Sequence, residues 1–235
     1  MTKAAVPGQT EPGATRPRAL RPRAAASLML LDRSQGPIRV LMGKRSNAHV
    51  FMPDLHVFPG GRRDPGDHRL PWAGELHSAV QQRLMTATGG QSSPARLRAI
   101  AMAALRELHE EAHVAVGKPV EASHCPLAFL PDLTNLRYIA RAITPPGLAR
   151  RFDTHFFALF ADEAEIDPAA VRDSQELEDL RWIDVDDVSV VQVPDITEII
   201  LGELRSALEA DTSLAFDRPV PFFHTRRGQF VRDLF

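Results

Sequence analysis

One stretch narrows the choice of fold more than any other: the helix that the sequence predicts from Pro94 to about Ala112. Ser93 offers a side-chain oxygen to the free N–H groups at its start, and Pro94 suits the first helical position. At about 100° per residue, Leu97, Ile100, Ala101, Ala104, Leu105, Leu108 and Ala112 spread over roughly 140° of the helix surface. A stripe that broad has to face a core. Glu107, Glu110 and Glu111 share one side of the same wheel, while His109 and His113 lie beyond the other edge of the stripe.

The last turn of this helix, Arg106-Glu107-Leu108-His109-Glu110-Glu111-Ala112-His113-Val114, supports two chemical readings. Read from its histidines, it holds the H-E-x-x-H pattern of a zinc-protease helix. That chemistry needs a third protein ligand. The extended form would put Gly at 116 and His at 119, where Val116 and Pro119 stand. Read from its acids, it presents three carboxylates at i, i+3 and i+4, which repel one another by a few tenths of a kcal/mol per pair. Arg106, four residues before Glu110, opposes that repulsion. A solvated acidic face is the plain alternative; the functional one is a hard cation such as Mg²⁺ or Mn²⁺ held by oxygen ligands. The acids carry the stronger reading.

Around this helix the chain alternates strands and helices without a repeating β-α unit, which predicts an α/β sandwich. Ala24–Asp32 and Ile38–Arg45 are apolar runs flanking the turn cluster Arg33-Ser34-Gln35-Gly36-Pro37, a hairpin pattern. Residues 55–61, Leu-His-Val-Phe-Pro-Gly-Gly, read as a short strand broken into a shaped loop. An insertion at about 68–92 contains Leu76, Val80 and Leu84 at helical spacing. Strands are expected at 138–144, 154–161 and 177–185. An amphipathic helix follows at about 195–209, on Ile196, Ile199, Ile200 and Leu204. Residues 218–235 are ambiguous, but their four phenylalanines predict packing against the body.

Bulk properties exclude several classes. Lys plus Arg is 28 against 30 for Asp plus Glu, so the strong basic excess of a general nucleic-acid binder is missing. Cys125 is the single cysteine, which rules out an internal disulfide and a cysteine-rich zinc site. No apolar run reaches the 18 or so residues of a membrane span, and the N-terminus lacks a secretion signal's apolar core. Residues 1–24, rich in Pro, Gly, Ala and Arg, read as a disordered tail before one domain at 25–235. The expected location is cytoplasmic.

The residues beyond the helix sharpen the acidic reading. Phe58-Pro59-Gly60-Gly61 is followed five residues later by Asp67, and Arg106-Glu107-Leu108-His109-Glu110-Glu111 resumes after 38 more. This resembles the Nudix box, Gly-x5-Glu-x7-Arg-Glu-apolar-x-Glu-Glu-x-Gly-apolar, interrupted by a long insertion. Such an interruption is similar to the coenzyme A diphosphatase branch of that family, as are residues 45–61 and 143–160. Leu41-Met42-Gly43-Lys44-Arg45-Ser46 stands where that branch's signature precedes the box, with departures at Val50 and Asp54. His113 replaces the family glycine, as a tolerated left-handed C-cap.

The resemblance implies a Nudix-type α/β/α sandwich with a mixed sheet and a Mg²⁺- or Mn²⁺-dependent diphosphatase. Glu107, Glu110 and Glu111 would be metal ligands, with the Gly60 carbonyl a further one, and Arg106 would orient the glutamates. Glu176 or Glu178 would be the base if none of the three serves. Arg45, Ser46 and Gly61 would meet the substrate, and Arg150 and Arg151 are further candidates for a phosphate. The implied substrate is coenzyme A or acyl-CoA, giving adenosine 3′,5′-bisphosphate and (acyl-)4′-phosphopantetheine. NADH, ADP-ribose or another nucleoside diphosphate derivative is the alternative, and a non-catalytic binder the next. The expected partner is a nucleotide-like small molecule, with neither nucleic acid nor membrane; a homodimer is left open.

Overall fold

The computed structural model describes residues 20–46, 55–90, 92–121 and 123–235. The tail up to residue 19 and the departures at Val50 and Asp54 lie outside them. Strands β1 (Arg23–Asp32) and β2 (Arg39–Arg45) form the expected antiparallel hairpin, with Leu31 opposite Val40. Its connecting turn places Gly36 at φ 88°, a conformation glycine adopts freely. β1 starts inside the stretch expected to be tail, because the Arg23 N–H donates to the Arg151 carbonyl at 2.9 Å.

β3 (His56–Val57) and β4 (Gly60–Arg62) follow, separated at Pro59 as its fixed backbone requires. Helix α1 (Ser78–Ala87) lies in the insertion. Leu76 was expected on it but precedes it, because the His77 Nδ1 accepts from the Ala79 N–H at 3.3 Å and caps the helix there. Helix α2 runs Pro94–Ala112 as predicted, with the Ser93 Oγ accepting from the Arg96 N–H at 3.3 Å.

A small hairpin of β5 (Gly117–Pro119) and β6 (Phe129–Pro131) was not foreseen; three-residue strands carry too little periodicity to read. Next come β7 (Arg137–Ile143), β8 (Phe152–Phe160), β9 (Leu177–Asp184) and helix α3 (Asp195–Ala210), close to their expected places. The ambiguous C-terminal stretch folds as a hairpin, β10 (Pro221–Arg226) and β11 (Gln229–Leu234).

The main sheet runs β11-β10-β7-β8-β1-β2-β3, with β4 also beside β1 and β9 beside β2. β1 pairs β8 in parallel, β10 pairs β7 in parallel, and the other pairs are antiparallel. Successive side chains of β1 enter opposite layers. Leu28 and Leu30 pack in a core with α1 and α2; Met29 and Leu31 pack in a second core with Ile200, Leu201 and Leu204 of α3. Burial on both faces explains why β1 reads as a continuous apolar run. The architecture is the predicted α/β/α sandwich on a mixed sheet.

Candidate active site

The predicted stripe of α2, Leu97 to Ala112, is buried throughout. Ala99, Met102 and Ala103 are buried too, since Val80 and Leu84 of α1 join the same core layer. The last turn of α2 turns polar side chains toward the loop between β3 and β4 and the Arg45 end of β2.

There the Glu111 carboxylate accepts a hydrogen bond from the Gly60 N–H at 2.7 Å. Gly60 pairs with Ser27 of β1, and a Cβ added to it would stand 2.6 Å from the Ala26 carbonyl oxygen. A Cβ on Gly61 would overlap the Glu107 carboxylate. Both glycines are needed because backbone here passes against backbone and against a carboxylate.

Arg106 holds this corner together. Its Nε donates to Asp67 Oδ1 at 2.8 Å, Nη1 to Glu107 Oε1 at 2.9 Å and Glu110 Oε2 at 3.0 Å, and Nη2 to the Arg62 carbonyl at 2.9 Å. The sequence pointed to the Glu110 pairing but not to Asp67 as its buried partner. Asp67 is 3 % exposed and also accepts from the Asp64 N–H at 2.7 Å. Its place in the interrupted box was the signal that could have identified it.

Burial drives the two inner glutamates away from ordinary carboxylate behaviour. Glu107 is pushed up to about 7 by burial, with Arg106 opposing and Glu110 and Glu176 adding to the rise. Glu111 is pushed up to about 8 by burial, opposed by the Gly60 amide and by Arg45 and reinforced by Glu107 and Glu176. Two buried, raised carboxyls, the first of them adding to the rise of the second and hydrogen-bonded to a single arginine, form a site short of positive charge.

The remaining candidates divide. Arg45 is near enough to act on Glu111, and the Ser46 N–H donates to the Glu176 carbonyl at 3.3 Å. Arg45, Ser46 and Glu176 therefore join the acids at one corner. Glu178 lies on β9 opposite Lys44. Arg151 is committed to the carbonyls of Thr144 at 3.0 Å and Leu20 at 2.7 Å.

The three glutamates do not converge. Among the described residues no group of three or more His, Cys, Asp or Glu side chains is arranged to hold a metal ion. Glu110 is turned outward onto Arg106 with 52 % of its side chain exposed, and Glu111 is turned onto the Gly60 N–H. Gly60 meets Glu111 through its N–H.

The zinc-protease pattern fails on geometry. His113 stands outside the helix at φ 57°, its N–H donating to the His109 carbonyl at 3.0 Å, so the two histidines are not a pair on one helix face. His109 packs edge-on against Phe129, ring centroids 5.0 Å apart. His113 is the left-handed C-cap anticipated from its place in the box.

No family model matches the chain, and no curated protein does either. Solved structures do. A NUDIX hydrolase from Alicyclobacillus acidocaldarius is 22% identical over 81% of this chain and 92% of its own, with a TM-score of 0.59. The Nudix hydrolase RenU from M. Smegmatis is 17% identical over 80% and 87%, with a TM-score of 0.48. The NUDIX domain of Shewanella oneidensis NrtR, complexed with ADP ribose, is 16% identical over 85% and 94%, also with a TM-score of 0.48. The first of these likenesses establishes the fold: the chain has the Nudix fold.

Proposed function

We propose that this chain is a Nudix hydrolase that cleaves the diphosphate bond of a nucleoside diphosphate derivative with a divalent cation. Coenzyme A or acyl-CoA is the favoured substrate. The observation that carries the chemistry is the buried pair Glu107 and Glu111, set against the Gly60-Gly61 loop and short of positive charge. Oxygen donors on one rigid helix fit a hard cation such as Mg²⁺ or Mn²⁺. Glu107 and Glu111 would hold it, and Glu110, mostly exposed, is the third carboxylate at hand. When bound, such an ion neutralises phosphate oxygens and lowers the pKa of attached water.

The chain's own residues supply the rest. Arg106 and Asp67 hold the start of the acidic turn in place. Gly60 and Gly61 let the loop lie directly against β1 and the Glu107 carboxylate because they present no side chain there. Arg45 offers a cation near Glu111 for a substrate phosphate, and Ser46, next in the chain, would add its hydroxyl. Glu176 is favoured over Glu178 as an additional base, since it acts on both inner glutamates. The coenzyme A preference rests on Leu41–Ser46, on Phe58–Gly61 and on the interrupted box.

Product analysis by mass spectrometry tests the whole reading. Purified protein with Mg²⁺ is given coenzyme A, acetyl-CoA, NADH and ADP-ribose beside a Glu111→Gln control. Phosphopantetheine products lost in the control support it. Cleavage of NADH or ADP-ribose alone keeps the chemistry and overturns the substrate. No turnover with either Mg²⁺ or Mn²⁺ overturns the enzyme.

A further inference from the structure

A polar cavity of about 280 Å³ opens where α2 begins, away from the glutamates. Arg96 lines it, eleven residues before Glu107 on the same helix, which is about 16 Å along the axis. Its walls come from four parts of the fold: Ala24 of β1, Thr88 after α1, Ser92 and Arg96 at the start of α2, and Arg141, Asp153 and His155 of β7 and β8.

Its charges are unevenly matched. Arg141 is spent: Nε and Nη2 donate to the two Asp153 oxygens, each at 2.7 Å, and Nη1 donates to the Ala87 carbonyl. Arg96 has no carboxylate partner among the described residues. The first turn of α2 carries no acid either, although a helix N-terminus favours one. The α2 end of the cavity is therefore positive without compensation.

The opposite wall is polar and neutral. His155, 1 % exposed, shares a hydrogen bond between Nδ1 and the Tyr138 hydroxyl at 2.8 Å. Its Nε2 is 3.9 Å from Asp153, beyond hydrogen-bond reach, and has no other partner among the described residues. The Thr88 hydroxyl donates back to the Leu84 carbonyl at 2.9 Å, leaving its oxygen able to accept. His155 lines the cavity, and a ligand or water there can meet its Nε2 edge.

We propose that this cavity is a binding site for a small hydroxylated phosphate monoester. Its phosphate lies against Arg96, Ser92 and the start of α2, and its hydroxyls face His155, Asp153 and Thr88. The volume is at the small end of ligand pockets, which fits a phosphorylated polyol or sugar and excludes a whole dinucleotide. The site is independent of the hydrolase reading, because it shares no residue with the acidic corner.

Isothermal titration of the metal-free full chain with glycerol 3-phosphate, inorganic phosphate and glycerol tests this. Amide chemical shifts recorded alongside locate whatever binds. Saturable binding of glycerol 3-phosphate is expected, tighter than inorganic phosphate, with shifts at residues 92–97 and not at Gly60 or Gly61. Arg96→Ala, at an exposed position, should weaken it about tenfold, and Arg45→Ala should leave it unchanged. The site is overturned by absence of saturable binding, by equal affinity in Arg96→Ala, or by loss in Arg45→Ala with shifts at the glycine loop. Equal affinity for inorganic phosphate overturns the hydroxyl half of the assignment.

Discussion

At the scale of single residues, the decisive feature is the raised pair Glu107 and Glu111. Both titrate well above a free glutamate because burial disfavours their charge. The folded metal-free protein therefore binds more protons than the unfolded chain between about pH 4.5 and 8. Its stability should be fully present below the unfolded value and fall as pH rises through about 7 and 8. Urea melts in a chelating buffer at pH 5, 7 and 9 measure this, and adding Mg²⁺ should recover stability at the upper end. A flat profile would mean that water or a rotated side chain already solvates the pair. Gly61→Ala is a separate residue-scale test. The added methyl overlaps the Glu107 carboxylate, so stability should drop by about 1–3 kcal/mol and turnover should collapse, measured by urea melts and product release.

At the scale of elements, α2 is defined by its two ends. His113 closes it in the left-handed region, where a side chain costs about 1 kcal/mol that glycine avoids. His113→Gly should therefore raise stability by roughly that amount, read as a shift in the denaturation midpoint with the same slope. If His113 instead reaches a carbonyl or the site, the variant will be neutral or worse. Asp67→Asn tests the other anchor of the acidic turn. It takes the charge from a carboxylate that is 1 % exposed and leaves Arg106 bound to two glutamates and a carbonyl. A loss of about 3 kcal/mol is expected, as for breaking a buried pair, again by urea melts.

At the scale of the whole molecule, the long insertion is part of the sandwich. α1 supplies Val80 and Leu84, both fully buried, to the core layer shared by α2 and the sheet. Leu84→Ala should thus cost about 2–5 kcal/mol in a single cooperative transition followed by circular dichroism. A detached lid would lose almost nothing, or would melt separately. No helix among the described residues is long and apolar enough to cross a membrane.

Elements whose signals are local could be read before any fold was known. Ser93-Pro94, the apolar stripe and the left-handed cap delimit α2 because capping and periodicity act within a turn or two. The long β1–β2 hairpin and α3 were legible for the same reason. The C-terminal hairpin was not, although Arg227 and Gly228 both take positive φ in its turn. Its first strand, β10, is stabilised by pairing with β7, a partner about eighty residues away. Folding over long range is what makes Asp67, not Glu110 alone, the anchor of Arg106 and sends Glu110 to Arg106 while Glu111 turns to Gly60. It also brought Arg96 and His155 to one cavity. Each depends on which distant side chain claims a charge, and burial, which sets the cost of leaving that charge unmet, exists only in the folded chain.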